Sequence, residues 1–62
     1  MYKLRFYVIS GTNKGSLDHE EVFNSIDELD ARYDDVFRYE LYSLNPTAWE
    51  RVGDDWHRLS GY

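Results

Sequence analysis

Apolar and polar positions alternate along the chain from Tyr2 to Ser10. Tyr2, Leu4, Phe6 and Val8 fall on one side; Lys3, Arg5, Tyr7 and Ile9 fall on the other. A period of two carried by aromatic and β-branched residues predicts a strand. Gly11-Thr12-Asn13-Lys14-Gly15 has the composition of a reversing loop, because Gly and Asn tolerate positive φ. A weaker strand is expected from Leu17 to Phe23. Pairing the two as a hairpin with Val22 beside Leu4 and Glu21 beside Arg5 turns an apolar pair inward and an ion pair outward. Asp18 and Glu20 fit that register poorly, which predicts a bulge or fraying.

The period changes at Ser25. Ser25-Ile26-Asp27-Glu28 reads as a capping box, with both acids in the first turn where the helix dipole favours anions. From there to Phe37, the residues Ile26, Leu29, Tyr33, Val36 and Phe37 fall within about 100° of one another at helical spacing. The opposite arc carries Asp27, Glu28, Asp30, Asp34 and Asp35. Arg32 lies at its margin, one turn after Glu28, and is expected to pair with it.

Alternation returns from Phe37 to Leu44 and predicts a third strand. Asn45-Pro46-Thr47-Ala48 reads as a turn in which Pro46 fixes φ. Trp49 to Gly53 would then return antiparallel, with Leu44 facing Trp49 and Tyr42 facing Arg51. Gly53-Asp54-Asp55 breaks that strand, and Trp56 to Tyr62 is either a short further strand or a tail anchored by Trp56 and Leu59. The order ββαββ predicts a small α+β domain: an antiparallel sheet of about four strands with one helix packed on one face.

Length limits what such a fold can do. Sixty-two residues make a single domain, residues 1–62. A chain this short buries only about 60% of its unfolded surface. It has no cysteine, which excludes disulfides and thiolate metal sites and fits a reducing compartment. The core must therefore draw on the three Phe, two Trp and six Tyr residues. No apolar run approaches the roughly 18 residues of a membrane span, and charges interrupt the opening segment where a signal peptide would be apolar. A cytoplasmic protein without membrane contact is expected. Twelve acidic against seven basic residues give a net charge of −5, which disfavours DNA binding by bulk charge.

Candidate chemistry is sparse. His19-Glu20-Glu21 begins like a zincin motif, but Phe23 stands where the second histidine belongs and His57 is far along the chain. Gly11 to Ser16 resembles a phosphate loop superficially; it has three residues between its glycines instead of four, and Lys14 precedes the second glycine. Asp34 and Asp35, adjacent on a helix, diverge by about 100° and cannot converge on one substrate. No enzyme activity, metal or cofactor is expected.

Two surfaces remain. The helix arc of Asp27, Glu28, Asp30, Asp34 and Asp35 could engage a protein with a basic groove, although an amphipathic helix needs a solvated face in any case. In size and charge the chain is similar to small acidic phage proteins that inhibit nucleases or polymerases, a likeness of kind that no motif carries further. With the helix covering Leu4, Phe6, Val8, Tyr39, Leu41 and Val52, the other sheet face would collect Lys3, Arg5, Tyr7, Ile9, Arg38, Tyr42, Leu44, Trp49 and Arg51. Arg5, Tyr7, Arg38, Tyr42, Trp49 and Arg51 then suit a stacking platform for single-stranded nucleic acid. They equally suit a homodimer interface or a surface covered by the C-terminal tail. Glu21 and Glu40 on the same face rank nucleic acid below those two. The expectation is a non-enzymatic interaction module, an inhibitor or adaptor of the kind phages and mobile elements make, working through its acidic helix face. The partner's identity, the oligomeric state and the biological process are not written in the sequence.

Overall fold

The computed structural model describes residues 1–39 and 46–62. Its elements are β1 (Tyr2–Tyr7), β2 (Leu17–Phe23), α1 (Ile26–Tyr39), β3 (Thr47–Val52) and β4 (Asp55–Arg58). All strand pairs are antiparallel in one open sheet of order β2-β1-β3-β4. The single described helix lies over β1 and β2. This is the expected ββαββ α+β domain. The helix is neither long nor apolar enough to cross a membrane.

Strand β1 forms the centre because its alternation supplies the largest inward side chains. Leu4 and Phe6 are fully buried, together with Leu29 and Val36 of α1 and Ala48 of β3. Tyr2, Phe23, Ile26, Tyr33, Leu59 and Tyr62 pack around them and are only partly covered. Burying a Leu or Phe side chain contributes about 1.5–3 kcal/mol, so a domain this small depends heavily on each of these buried side chains.

The helix starts where the capping box places it. The Glu28 N–H donates to Ser25 Oγ at 3.2 Å, and Glu28 Oε2 accepts from the Asn24 N–H at 3.3 Å. Its end differs from expectation. Phe37, Arg38 and Tyr39 continue the helix instead of opening a strand, and residues 40–44 of that expected strand lie outside the described residues. Aromatic alternation there mimics a strand, but Tyr33 and Phe37, four residues apart, bring their rings together at 4.6 Å, tilted by 50°, as helical neighbours. Phe37 is nonetheless 44% exposed and Tyr39 78% exposed, so neither completes the core as expected.

The hairpin register also differs by one residue. Lys3 pairs with Val22, Leu4 with Glu21 and Arg5 with Glu20, with an irregularity between Phe6 and Tyr7. A slip of one position exchanges the two faces of a strand: Val22 and Glu20 turn away from the helix, whereas Glu21 and His19 turn toward it. Strand β3 begins at Thr47, inside the expected turn, and pairs with β1 and β4. Trp49 lies opposite Lys3 on one side and Arg58 on the other. The expected partners Tyr42 and Leu44 lie outside the described residues. The fourth strand is Asp55–Arg58, joined to β3 through Gly53-Asp54, where Gly53 has φ +64°, the conformation a two-residue hairpin turn asks of its first residue. Val52, expected beneath the helix, is 51% exposed.

The register has a direct test. Val22 is 56% exposed, so Val22→Lys should cost no more than about 1 kcal/mol even with the new charge set opposite Lys3. Leu4→Ala, by contrast, should cost about 2–5 kcal/mol. Urea unfolding followed by circular dichroism separates the two; a Val22→Lys variant as damaged as Leu4→Ala would place Val22 in the core.

Candidate functional site

Three local constellations carry charge or hydrogen-bonding chemistry. The first joins β2 to α1. Arg32 grips Glu21 with two parallel bonds, Nε to Oε1 at 2.8 Å and Nη2 to Oε2 at 3.2 Å, the fork geometry that makes arginine–carboxylate pairs strong. Arg32 therefore reaches across to the strand, a partner that the i, i+4 spacing to Glu28 does not suggest. His19 sits between two carboxylates on its own strand, with Nδ1 2.6 Å from Asp18 and Nε2 3.0 Å from Glu21. Its ring stacks on Phe6 with centroids 4.5 Å apart and planes 9° from parallel. The hydrogen bond to Asp18, then that to Glu21, raises the His19 pKa above its ordinary 6.5. The Arg32 hydrogen bonds hold the Glu21 carboxyl below its ordinary 4.5. Among the described residues no group of three or more acidic or histidine side chains is placed to hold a metal ion.

The second constellation is the outer arc of α1. Asp27, Glu28, Asp30, Asp34 and Asp35 are all exposed, as the sequence places them. They are not equivalent. Glu28 closes the helix start, and Asp30 accepts a hydrogen bond from the Tyr62 hydroxyl. That bond pushes the Tyr62 pKa up to about 12. Tyr62 also meets Tyr33 edge-on at 5.0 Å, so the C-terminal residue straps onto the helix. Asp27, Asp34 and Asp35 have no charged partner among the described residues.

The third is the sheet face turned away from α1. Strand register brings Lys3, Arg5 and Tyr7 of β1 beside Glu20 and Val22 of β2, beside Thr47, Trp49 and Arg51 of β3, and beyond them Trp56 and Arg58 of β4. Four of the expected face residues, Arg5, Tyr7, Trp49 and Arg51, come together here. Arg38 does not, because it belongs to the last turn of α1; Tyr42 lies outside the described residues, as do Leu44 and Glu40. Glu21 does not share this face, since the register turns it under the helix. Sequence reasoning missed Trp56 and Arg58. The signal available was the two-residue Gly53-Asp54 turn, which returns the chain as a paired strand and so alternates Trp56 and Arg58 onto the side of Trp49 and Arg51.

Within this face the cations lie against aromatic rings. Lys3 Nζ is 4.3 Å from the Trp56 ring centre, and the Arg5 guanidinium lies 5.8 Å from Trp49 and 5.9 Å from Tyr7, distances at which a ring quadrupole attracts a cation. Glu20 Oε2 stands 3.0 Å from both Lys3 Nζ and Arg5 Nε. The Arg5 Nε proton is buried but misaligned with that carboxylate, leaving it without a hydrogen bond. Thr47 Oγ1 accepts from Trp49 Nε1 at 2.8 Å and contacts the Tyr7 hydroxyl at 3.1 Å, fixing both rings. Arg51 donates from Nε to the Gly53 carbonyl at 3.1 Å and makes a loose contact with Asp54 at 3.9 Å, while Arg58 has no ion-pair partner among the described residues. The C-terminal residues do not cover this face: Leu59 and Tyr62 pack against the core on the helix side.

The His19–Glu21–Arg32 latch makes stability depend on pH in a definite sense. His19 binds its proton more tightly folded than unfolded, so its contribution is complete below pH 6.5 and is lost as pH rises through the raised folded value. Glu21 holds its proton less tightly when folded, so its contribution is present above pH 4.5 and is lost as pH falls through the lowered value. Stability from the latch should therefore peak between these limits. Urea midpoints measured across pH 3–9 should decline on both sides; His19→Gln should flatten the alkaline decline and, because His19 also bonds Glu21, reduce the acid decline to a lesser degree while Arg32 remains in place.

No protein-family model, curated protein or solved structure matches the chain.

Proposed function

We propose that this protein is a non-enzymatic interaction module that docks the acidic face of α1 onto a basic surface of another protein. The observation that carries this reading is the set of three exposed carboxylates, Asp27, Asp34 and Asp35, left without countercharge among the described residues on a helix fixed from beneath. Leu29 and Val36 anchor that helix in the core, and the Arg32–Glu21 pair ties it to the sheet. Carboxylates on a rigid element lose little further freedom on binding, which favours association. Complementary charge also speeds encounter and excludes partners of the wrong sign.

A basic protein groove, including one that otherwise receives nucleic-acid phosphates, is the fitting partner, and an inhibitor or adaptor role follows from occupying it. Asp30 and Glu28 belong to the same arc but already serve Tyr62 and the helix cap, so they contribute charge more than contacts.

Reversing Asp27, Asp34 and Asp35 to Lys tests the reading. Like charges brought together at an interface cost several kcal/mol, so affinity for a partner recovered by the parent from nuclease-treated lysate, then purified, should fall at least about a hundredfold. Asp→Asn at the same positions should give an intermediate loss, and circular dichroism should remain that of the parent. Equal partner recovery and affinity for all three proteins would reduce the arc to a solvated helix surface.

A further inference from the structure

We propose that the sheet face opposite α1 binds single-stranded nucleic acid, stacking bases on Trp49 and Trp56 and holding phosphates with Arg5, Arg51 and Arg58. The pairing of β3 with β4 sets these groups in a checkerboard, because Trp49 faces Arg58 and Arg51 faces Trp56. Both tryptophans are half-buried, so part of each ring remains accessible, and Trp49 is held by its bond to Thr47. Fixed aromatic rings interleaved with guanidinium groups are what sequence-tolerant single-strand binding uses: any base can stack, and the cations follow the backbone. Arginine suits the phosphate role through its planar fork of donors.

Charge selects this occupant over a second copy of the chain. The face gathers four of the seven basic residues of a chain with net charge −5. Against them stand Glu20 within the face and Asp54 at its rim. Lys3 is largely covered by its neighbours, with 13% of its side chain exposed, and is left to Glu20 and Trp56. Two copies packed through this face would set cations against cations. A polyanion meets no such conflict. The acidic arc of α1 does not cancel the attraction, since a helix about 10–12 Å across stands between the two surfaces. That thickness matches or exceeds the screening length of about 8–10 Å at ordinary ionic strength.

The test is intrinsic tryptophan fluorescence during titration with an oligothymidylate of about eight nucleotides, a length within the range of known single-strand sites. Saturable quenching at low salt is expected. Three phosphate contacts predict a log–log salt slope of about −2, so affinity should fall about 15-fold between about 50 and 200 mM salt. Arg51→Glu/Arg58→Glu should weaken binding at least tenfold with an unchanged circular dichroism spectrum. Arg58→Gln, at an exposed position without an ion pair among the described residues, should show a smaller loss. Absence of quenching at low salt, or equal affinity for the Arg variants, would overturn the proposal. So would a light-scattering mass twice the 7.5 kDa chain without oligonucleotide binding, which would give the face to a second copy. These variants leave Asp27, Asp34 and Asp35 untouched, so failure here is separable from failure of the helix-face reading.

Discussion

The pairing of Leu4 with Glu21 decides what each surface of this protein presents. It turns Glu21 under the helix, where the guanidinium of Arg32 closes on it with two bonds. His19, two residues earlier, is carried onto the Phe6 ring and is hydrogen-bonded to a carboxylate at each of its nitrogens. Strand β2 is an edge strand and offers the core only Phe23 among large apolar residues. A polar latch therefore does the work that apolar packing does elsewhere. Such a latch specifies one register sharply, because removing either partner strands the other's charge in a half-covered site.

The same register sends Glu20 to the far side, where a single carboxylate oxygen stands between Lys3 and Arg5. The carboxylates of β2 are thus divided: Glu21 binds the helix and Glu20 steadies the cations of the sheet. A slip by one residue would send Val22 inward and satisfy a simple hydrophobic count, yet it would take Glu21 away from Arg32 and His19 from Phe6. The outer pairs cannot set the register, because after such a slip Glu21 would offer Arg5 the carboxylate that Glu20 offers now. The decisive interaction is the one closed over by the helix.

Much of this was legible along the chain. The alternation of β1, the capping box at Ser25 and the stripe through Leu29 and Val36 each depend on neighbours within a few residues, and each forms as local rules dictate. The register was not legible, because Glu20 and Glu21 offer Arg5 a carboxylate in either alignment. Only Arg32, eleven residues beyond Glu21, distinguishes them. The end of α1 was misread for a related reason. Phe37-Arg38-Tyr39 alternates as a strand does, but a helix already formed needs no new nucleus to add residues. Of the surfaces, the acidic arc could be read whole because one helix carries it. The cationic face could be read only in part, since its membership depends on which strands become neighbours.

A domain of this size with one helix on one side of a sheet leaves two broad surfaces facing opposite ways. Its net charge of −5 conceals their difference. Five of the twelve acids lie on the outer arc of α1, while four of the seven Lys and Arg residues lie on the opposite sheet face among tryptophan and tyrosine rings. Charges of opposite sign kept apart in this way cannot neutralise one another, and their separation forgoes the modest stabilisation that pairing would bring. Such a distribution is costly to hold if solubility is the only demand, because mixed surface charge would serve as well. Where a cation is needed for stability, as at Arg32, the fold brings a carboxylate to it. Arg58 on the sheet and Asp27, Asp34 and Asp35 on the helix receive no such partner among the described residues, and this selective pairing is the strongest reason to read the two surfaces as places where other molecules complete the charge balance.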